Sequence, residues 1–493
     1  MMSATLIRSC VVTLLFIGVA MVGAYHHELW RDEIQAWLLV IDAQSLRQLF
    51  ENCRYEGHPM LWYLLLYGIA QCTEDIVAIQ LLSICVTSTA VFLFCRFSPF
   101  NWVQKTVFVF GFYPLFQYCI LSRSYGVILL FWVCYLCIKP QSVWSWVILV
   151  LMANTSATGC VLACCFGTTV VVQEWLQKKS IVSIVKEYAI GLILLGLGLI
   201  VAAWQIYPEP DNIYSTHFSG KQLQTVFSQL HDSYFYIAYW PDLFGWSTVH
   251  MRDQYPLDLA ISIVLFVVCV VLFYQHKRVL FFYVCSTLSM VLLLTVTNMD
   301  SARFLGHFFL ILMAGYWFTF KEGTVKNKRG LNVLLMCVLG CQLVTGCGLF
   351  YADYTQTFSN GKRVAAYIRE QKLDSYPITG GLDYTISPIS YWLNKPVFYM
   401  ETRANGRYMV WSNKRSRPLT PELFLHQTDS LVQAQQKAVI IISYLLPVAN
   451  ESFRGFMQDS IASKSSQWVL IKKFEDAMVP DENYYIYLAS RKK

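Results

Sequence analysis

Apolar runs about as long as a membrane is thick recur along this chain from its N-terminus to about residue 351. A helix needs roughly 20 consecutive apolar residues to cross the hydrocarbon core of a bilayer. Of the 493 residues, 56% are hydrophobic and only 14% are charged, whereas soluble globular proteins have about 25% charged residues. The sequence therefore predicts a multi-pass, mainly α-helical membrane protein.

The first apolar run, residues 5–24, contains a basic flank at Arg8, as a secretory signal peptide would. It lacks a small-x-small cleavage site, and more apolar runs follow, so we interpret it as a retained first transmembrane helix. The hydropathy pattern predicts about eleven spans, at 5–24, 76–95, 106–121, 124–138, 142–158, 160–174, 187–206, 257–274, 279–297, 304–320 and 331–351.

Basic residues predict how these spans are oriented, because cytoplasmic loops carry an excess of Lys and Arg. With a cytoplasmic N-terminus, thirteen bases fall in inner loops, against Glu174, Glu187 and Glu322. These bases are Arg8, Arg96, Lys105, Lys139, Lys178, Lys179, Lys186, Lys277, Arg278, Lys321, Lys326, Lys328 and Arg329.

This orientation assigns to the outer face the segments 25–75, 122–126, 207–256 and 298–303, and everything after about residue 352. In the first of them, "HPMLWYLLLYGIAQCTED" is too short and too aromatic to be a span, and we expect an interfacial or re-entrant helix there. The predicted organisation is thus a membrane module, 1–351, and an outer domain.

The outer domain, 352–493, has a different sequence pattern. "GKRVAAYIREQKL" has helical spacing, whereas "KAVIIISYLL", "QWVLIKKFE" and "NYYIYLAS" are strand-like runs separated by turn residues. About 140 residues suffice for one domain with its own core. We therefore expect a small C-terminal α/β domain, which the predicted orientation makes periplasmic.

Sixteen cysteines are present, nearly all inside apolar runs, and none follows Cys347. This distribution argues against a disulfide-stapled outer domain and against a thiolate metal site, which needs clustered ligands in a polar loop. We expect free cysteines that behave as small hydrophobes. Only Cys53 and Cys72 flank the first loop closely enough to suggest a bridge.

The first predicted outer loop concentrates acidic residues among Trp and Leu. Asp32, Glu33, Glu51 and Glu56 all fall within "HHELWRDEIQAWLLVIDAQSLRQLFENCRYEGHP", residues 26–59. On composition alone, such residues are ordinary solvated charges. Neighbouring positions on a helix point about 100° apart, so Asp32 and Glu33 cannot both face the same point. One of them is expected to cap the helix or meet solvent while the other faces inward.

Two short helices are expected in this loop. The apolar residues of "WRDEIQAWLLVID" recur at helical spacing, which predicts an amphipathic helix along the membrane surface. "SLRQLF" predicts a second helix that is capped by Ser45. Gly57 and Pro59 then end the helical pattern.

The text "WRDEIQAW" near the start of this loop and "CRYEGHPMLWYLLL" at its end, with the predicted topology, resembles the GT-C membrane glycosyltransferases. The similarity is greatest to the dolichyl-phosphate-mannose-protein mannosyltransferase and aminoarabinose transferase group, including its bacterial lipopolysaccharide-type relatives. It covers roughly 1–350, whereas the tail matches only in position and size. This sequence differs from the group at two points. Met60 stands where the group has a second proline after the histidine. Arg303 and His307 are four positions apart here, whereas the corresponding arginine and histidine are adjacent in the group.

The resemblance implies transfer of a sugar from a polyprenyl phosphate to an acceptor hydroxyl at the outer membrane face. Because phosphate is already a good leaving group, one carboxylate that takes the acceptor proton suffices. The resemblance gives that role to Asp32, with Glu33 as helper or alternative. Glu56 and His58 are implied to bind the acceptor or sugar, or to shape its site.

A lipid phosphate also needs cations, and bases near the outer helix ends are scarce. Arg123 and Tyr125 begin the fourth predicted span, and Arg303 and His307 begin the tenth, at points where relatives have similar pairs. A buried arginine costs a few kcal/mol unless it is paired or reaches the interface. We expect these four residues to bind the donor phosphate. The alternatives are snorkelling of the arginines to lipid headgroups and a satisfied core role for His307.

The long outer stretch 207–256 is rich in aromatic residues, which stack on sugars and also anchor proteins at interfaces. His217, Lys221 and Asp232 are candidates to contact the donor headgroup or the acceptor. The alternative is a solvated re-entrant loop.

No metal is required by the sequence, which lacks zinc-type His-Glu spacing, phosphate-cradling glycine loops and a nucleophile elbow. The family that the chain resembles often works without an essential metal. A divalent cation held by Asp32 and Glu33 is the alternative.

The expected partners are a polyprenyl-phosphate-linked sugar, an acceptor glycan, lipid or protein, and membrane lipids, with no nucleic acid. The relatives imply a bacterial inner membrane, and the sequons at Asn154 and Asn450 are too common to decide otherwise. A transporter or flippase of a lipid-linked sugar is the alternative function. It would prefer paired charges at mid-membrane and broken helices in two related halves. A third possibility is a non-catalytic assembly or sensor protein whose outer domain binds a partner.

Overall fold

The computed structural model describes residues 4–213, 216–235, 255–299, 301–322, 328–415 and 419–492. Helices account for 69% of the structure, and a small sheet lies in the C-terminal part, so the chain is mainly α-helical as expected. Part of the predicted outer stretch 207–256, namely 214–215 and 236–254, lies outside the described residues, as does Asp300.

The N-terminal part is a succession of helices with short connections. In chain order these are α1 (Ala4–His26), α2 (Arg31–Ile41), α3 (Leu46–Cys53), α4 (Leu61–Ala70), α5 (Val77–Phe97), α6 (Trp102–Val109), a π-helix (Phe112–Ile120), α7 (Tyr125–Cys137), α8 (Val143–Ala153), α9 (Ala157–Leu176), α10 (Ile181–Ile206), α11 (Gly220–Ser228), α12 (Leu230–Phe235), α13 (Tyr255–Phe273), α14 (Lys277–Thr297), α15 (Ala302–Lys321) and α16 (Lys328–Thr355).

Eight helices in the described part of the chain are long and apolar enough to cross a membrane, namely α1, α5, α9, α10, α13, α14, α15 and α16. The protein is therefore a multi-pass membrane protein. α15 is the central helix, because 89% of its apolar window is buried, whereas the other seven windows are 17% to 50% buried. Gly306 allows this close packing, since a Cβ atom there would lie 2.1 Å from the Tyr118 hydroxyl.

The other three predicted spans are shorter than a membrane crossing, so the count of eleven is not confirmed. In place of 106–121, the chain forms α6 and the separate π-helix, while α7 and α8 have only 13 and 11 residues. Local residues mark two of the helix boundaries in this region. Asn101 caps α6 through the Gln104 N–H at 3.0 Å, and Pro140 follows soon after the end of α7.

The segment after the first loop is not a span either. α4 has ten residues, which extend about 15 Å at the rise of an α-helix. The two expected loop helices are present as α2 and α3, and the Ser45 hydroxyl accepts the Gln48 N–H at 3.2 Å at the start of α3. Side chains of α2, including Ile34, Trp37 and Leu38, pack with α4 and the start of α5 in a separate apolar cluster.

All sixteen cysteines are free thiols, including Cys53 and Cys72. Most of them are buried or half-buried within helices. They thus contribute apolar packing to the membrane helices.

The C-terminal part is a sheet with helices on both faces. Its helices are α17 (Gly361–Glu370), α18 (Asp383–Leu393), α19 (Pro421–Gln435), α20 (Leu445–Ala449) and α21 (Glu451–Arg454), and its strands are β1 (Ile378–Gly381), β2 (Val397–Tyr399), β3 (Ala404–Gly406), β4 (Lys437–Ser443), β5 (Ser460–Ala462), β6 (Ser466–Phe474) and β7 (Tyr484–Arg491).

The strand order is β3-β2-β1-β4-β7-β6-β5. β1 pairs in parallel with β2 and β4, and the other pairings are antiparallel. Alternate residues of β4 face opposite sides. Val439 and Ile441 pack in one apolar cluster with α17 and α18, whereas Ile440 and Ile442 pack in another with α19.

This α/β part rests on the first loop of the membrane part. α18 packs against α2. The turn before β7 binds the start of α2, because Glu482 accepts the Arg31 N–H at 2.8 Å and Asp481 pairs with the Arg31 guanidinium. Arg407 pairs with Asp42, at the end of α2, at 2.7 Å. α2 is therefore held at both ends by the C-terminal part.

Candidate functional site

The Asp32 carboxylate is the point where three distant parts of the chain meet. It lies in the first turn of α2 and pairs with Arg123, from the link between the π-helix and α7. Arg303, from the start of α15, pairs with the same carboxylate oxygen at 2.6 Å. The Arg31 Nε atom is 3.7 Å from the other carboxylate oxygen. Three residues singled out in the sequence, Asp32, Arg123 and Arg303, are thus in direct contact.

These cations determine the charge state of Asp32. Burial alone would raise the pKa of its carboxyl, but Arg123, Arg303 and Arg31 together lower that pKa well below its usual range. Asp32 is therefore an anion at any physiological pH. Arg31 is also paired with Asp481, but Arg123 and Arg303 share the single Asp32 carboxylate, so these two guanidinium groups carry positive charge in excess, which favours an anionic ligand.

A small cavity of about 20 Å³ opens beside Asp32, which is room for about one water molecule. Its lining combines ionisable, aromatic and hydroxyl side chains from the first loop and from the ends of neighbouring helices. The lining residues are Asp32, Ala36, Glu56, His58, Trp62, Tyr63, Arg123, Ser124 and Thr155.

Glu56 is the second acid in this cavity, and its environment differs from that of Asp32. It accepts hydrogen bonds from Gln35 Nε2 at 2.9 Å and from the Tyr63 hydroxyl at 3.4 Å, and it has no ion pair with a base among the described residues. Burial raises the pKa of its carboxyl to about 7. The cavity therefore holds one permanent carboxylate and one acid that exchanges its proton near neutral pH.

His58 lines the same cavity as a neutral ring. Burial, with repulsion from Arg123 and Arg303, lowers its pKa to about 4. Its Nδ1 atom is buried and has no hydrogen-bond partner among the described residues. The cavity thus contains an unpaired ring nitrogen close to the arginine pair.

Glu33, next to Asp32 in sequence, faces away from the cavity. Its carboxylate accepts the Ser122 N–H at 2.6 Å and the Trp30 N–H at 3.2 Å, and it lies 3.0 Å from His27 Nε2. Its side chain is fully buried. Of the two predicted catalytic acids, only Asp32 lines the cavity. Glu33 instead fixes the start of α2 against the residue that precedes Arg123.

His27 extends this buried network to α16. Its Nδ1 atom lies 3.0 Å from the Asp353 carboxylate, so both ring nitrogens face carboxylates. Burial opposes a charge on the ring, but Asp353 and Glu33 raise the pKa of His27 well above its ordinary value. The ring is therefore an imidazolium that donates to both acids. We call His27, Glu33 and Asp353 the buried triad.

Tyr125 and His307 are placed behind the arginines. The Arg123 guanidinium lies 5.7 Å from the centre of the Tyr125 ring, whose hydroxyl is buried without a hydrogen-bond partner in the described part of the chain. His307 lies within hydrogen-bonding distance of the Thr158 hydroxyl through Nε2, at 2.9 Å, and of the Phe304 carbonyl through Nδ1, also at 2.9 Å. Both nitrogens of His307 are thus satisfied within the core, which matches the alternative given for this residue.

The candidate residues of the stretch 207–256 do not line this cavity. His217 and Lys221 are exposed, and neither lines the cavity beside Asp32. Asp232, at the start of α12, lies 3.2 Å from His231 Nε2. The predicted contacts of these residues with a donor or acceptor stay predictions.

Gln35 and Tyr63 belong to the site because both donate hydrogen bonds to Glu56, and the sequence patterns did not predict a role for either. Gln35 donates to Glu56 and also exchanges two hydrogen bonds with the Met409 backbone, at 2.8 and 3.1 Å. A signal was available for Gln35, since it lies three residues after Asp32 on the same side of α2. Its contact to Met409 couples the cavity to the C-terminal part.

A divalent cation does not fit between Asp32 and Glu33. The first carboxylate is surrounded by guanidinium groups, which repel a cation, and the second is occupied by His27 and two backbone N–H groups. Among the described residues, no group of three or more His, Cys, Asp or Glu side chains has a geometry that could hold a metal ion.

No protein-family model matches this chain, and a search of curated proteins finds no similar sequence.

Proposed function

We propose that this protein is a membrane glycosyltransferase of the GT-C type, which moves a sugar from a polyprenyl-phosphate donor to an acceptor hydroxyl at the outer membrane face of a bacterial inner membrane. One observation carries the proposal: the Asp32 carboxylate lies between two arginines at helix ends, beside a cavity with a second acid. Such an arrangement supplies both cations for a phosphate and a carboxylate for a proton.

Arg123 and Arg303 are the proposed phosphate ligands. Both are mostly buried, with 16% and 25% of their side chains exposed, and both now bind Asp32. A phosphate group offers more acceptor oxygens and more charge than one carboxylate, so it competes for these guanidinium groups. As the bond between the sugar and the phosphate breaks, the same groups stabilise the charge that develops on the leaving phosphate.

Asp32 is the proposed general base. While both arginines bind it, its carboxylate is a weak base because its pKa is low. Transfer of the arginines to a donor phosphate removes these partners, which raises the pKa of Asp32 and strengthens it as a base. Donor binding would then activate the group that accepts the proton of the acceptor hydroxyl.

Glu56 is the competing assignment for the base. Its pKa of about 7 is close to that of an efficient general base at neutral pH. With Gln35 and His58, it otherwise fits the predicted role in binding the acceptor or the sugar.

The proposal is tested by single-turnover transfer from a panel of radiolabelled polyprenyl-phosphate sugars, with membrane extract as the source of acceptors. Wild type is compared with Asp32→Asn, Glu56→Gln and, as a matched control, Glu51→Gln, an exposed acid of α3 that pairs with Arg47. We expect transfer by wild type and by Glu51→Gln, and loss with Asp32→Asn while donor binding persists. Loss with Glu56→Gln alone would move the base to Glu56, and donor binding without transfer by wild type would contradict the proposal.

A transporter or flippase of a lipid-linked sugar is the second candidate. The interruption between α6 and the π-helix favours it, because transporter sites are often built from discontinuous helices. In proteoliposomes, this candidate predicts movement of intact labelled donor across the bilayer that survives Asp32→Asn, without transfer of its sugar.

A further inference from the structure

A second cavity, of about 710 Å³, lies at the opposite end of the helix bundle from Asp32. It is formed by the turn between α13 and α14 and by the end of α15, where Glu322 lies. α15 carries Arg303 at its start and has 20 residues, so it extends about 30 Å. The two cavities are therefore separated by about one hydrocarbon thickness.

Positive charge dominates this second cavity. Lys277 and Arg278 form the first turn of α14, which contains no acidic residue. The N-terminus of a helix is itself positive, so two bases there are electrostatically unfavourable unless an anion is near. Glu322 is the only acid among the described lining residues, and its carboxylate is occupied by His276 Nδ1 at 2.7 Å.

Two polar atoms in the lining lack partners. The His276 side chain is 9% exposed, and its Nε2 atom has no hydrogen-bond partner in the described part of the chain. The Arg278 Nε atom is buried and likewise has none there. His276 also provides no side-chain cap for α14, so the first backbone N–H groups of this helix are available to a ligand. The Nδ1–H of His276 is committed to Glu322, so the donors left for an oxyanion are the Arg278 guanidinium and the N–H groups at the positive end of α14.

The surroundings place this site at the level of lipid headgroups. Tyr274, which follows α13 and lines the cavity, is 68% exposed, and tyrosine is enriched where a membrane meets water. The Arg278 guanidinium lies 4.4 Å from the centre of the Phe318 ring, which holds it at the end of the bundle. Basic cavities between membrane helices at this depth bind anionic headgroups.

We propose that this cavity binds the phosphate group of an anionic membrane lipid through Lys277, Arg278 and the N-terminus of α14. A volume of about 710 Å³ accommodates a complete phosphoglycerol headgroup. The lipid ties α13, α14 and α15 together at the end of the bundle away from Asp32. The site uses none of the residues assigned to sugar transfer, so it stands or falls independently of that proposal.

The test is native mass spectrometry of the delipidated full chain with phosphatidylglycerol or phosphatidylcholine. The variants are Lys277→Gln/Arg278→Gln and, as a matched control, Lys139→Gln. Lys139 is exposed and follows the end of α7. This end of α7 lies beside the end of α15, because Lys321 Nζ is 3.5 Å from the Leu136 carbonyl, so Lys139 is at the same end of the bundle as the cavity. We expect wild type and the control to retain phosphatidylglycerol about tenfold or more tightly than the double variant does. Thermal unfolding of each variant shows whether it is folded.

A second arm adds millimolar inorganic phosphate as a competitor. Retained phosphatidylglycerol in the presence of phosphate supports the lipid as the source of the phosphate group. Full displacement supports the same anion site with free phosphate as its ligand. Equal retention of phosphatidylglycerol by wild type and a folded double variant, or equal retention of the two lipids by wild type, would overturn the proposal.

Discussion

Asp32 and Glu33 are neighbours of the same chemical type, yet they belong to two different regions of the molecule. Asp32 lies in a solvent-accessible cluster of arginines, with 20% of its side chain exposed, whereas Glu33 is fully buried in the triad with His27 and Asp353. The arginine cluster is held by charges that a ligand can replace. The triad is closed to ligands, because its side chains are buried and hydrogen-bond to one another and to the backbone N–H groups of Trp30 and Ser122. Adjacent acids thus have separate tasks, one exposed to ligands and one fixing the backbone beneath it.

The largest effect is expected from Asp32→Asn. If Asp32 is the base, single-turnover sugar transfer falls about 100-fold to 10,000-fold. The thermal unfolding temperature should also fall, because the lowered pKa of Asp32 means that its charge stabilises the folded state, so the rate is compared per folded molecule. A rate within twofold of wild type in a folded variant would remove Asp32 from the chemistry.

Glu33→Gln tests the other region. Removal of one partner from a buried ionic network costs about 3–5 kcal/mol, so we expect a large loss of stability in thermal unfolding in detergent. Asp353→Asn should cost a similar amount, and the double variant less than the sum, because the two acids share His27. Additive losses would show that the triad does not act as a unit. The rate per folded molecule should fall much less than with Asp32→Asn.

Arg303→Lys tests whether the arginine cluster around Asp32 binds the donor phosphate. Lysine keeps the charge but loses the two-pronged geometry that suits a phosphate. We expect about tenfold weaker donor binding in an equilibrium assay with a labelled polyprenyl-phosphate sugar, and Arg303→Gln should be weaker still. Donor affinity that is unchanged in both variants would contradict the phosphate-ligand role.

Glu56 gives a pH test. Because its folded pKa of about 7 lies above its ordinary value of 4.5, the folded state holds the proton more tightly than the unfolded chain does. The contribution of this carboxyl to the free energy of unfolding is therefore fully present below about pH 4.5. It decreases as pH rises through about 7, by up to about 3 kcal/mol in total. Between pH 4.5 and pH 7.5, the thermal unfolding temperature should fall more steeply for wild type than for Glu56→Gln. Parallel curves would show that the carboxyl is not buried in this way.

The smallest effect is expected from His217→Gln, since His217 is exposed and does not line the cavity. Transfer should stay within about twofold of wild type, as is usual for surface substitutions away from structural features. A larger loss would restore the predicted contact of this residue with the donor or acceptor.

Much of this arrangement is predictable from local sequence. Helical spacing predicts α2 and the divergence of its two adjacent acids, and Ser45 marks the start of α3. Scarce bases at predicted outer helix ends single out Arg123 and Arg303, because a buried arginine needs a partner. The strands β4, β6 and β7 follow from their β-branched and aromatic runs.

Other features depend on contacts that no local pattern contains. Asp32 rather than Glu33 lines the cavity because Glu33 is held in the triad with His27 and Asp353, and Asp353 is 326 residues from His27 in the chain. Apolar composition does not distinguish a complete span from the shorter α7 and α8. The strand β1 has the sequence "ITGG", which is typical of a turn, yet the backbone at Gly380 packs close to the Ile441 carbonyl, where a Cβ atom would lie 2.4 Å away.

The most direct test of the central claim is an experimental structure of the full chain with a bound polyprenyl-phosphate sugar. We expect a phosphate oxygen within about 3 Å of both the Arg123 and Arg303 guanidinium groups, with Asp32 released from them and Glu33 still bound to His27 and the Ser122 N–H. A donor phosphate bound elsewhere, with both arginines still paired to Asp32, would contradict it.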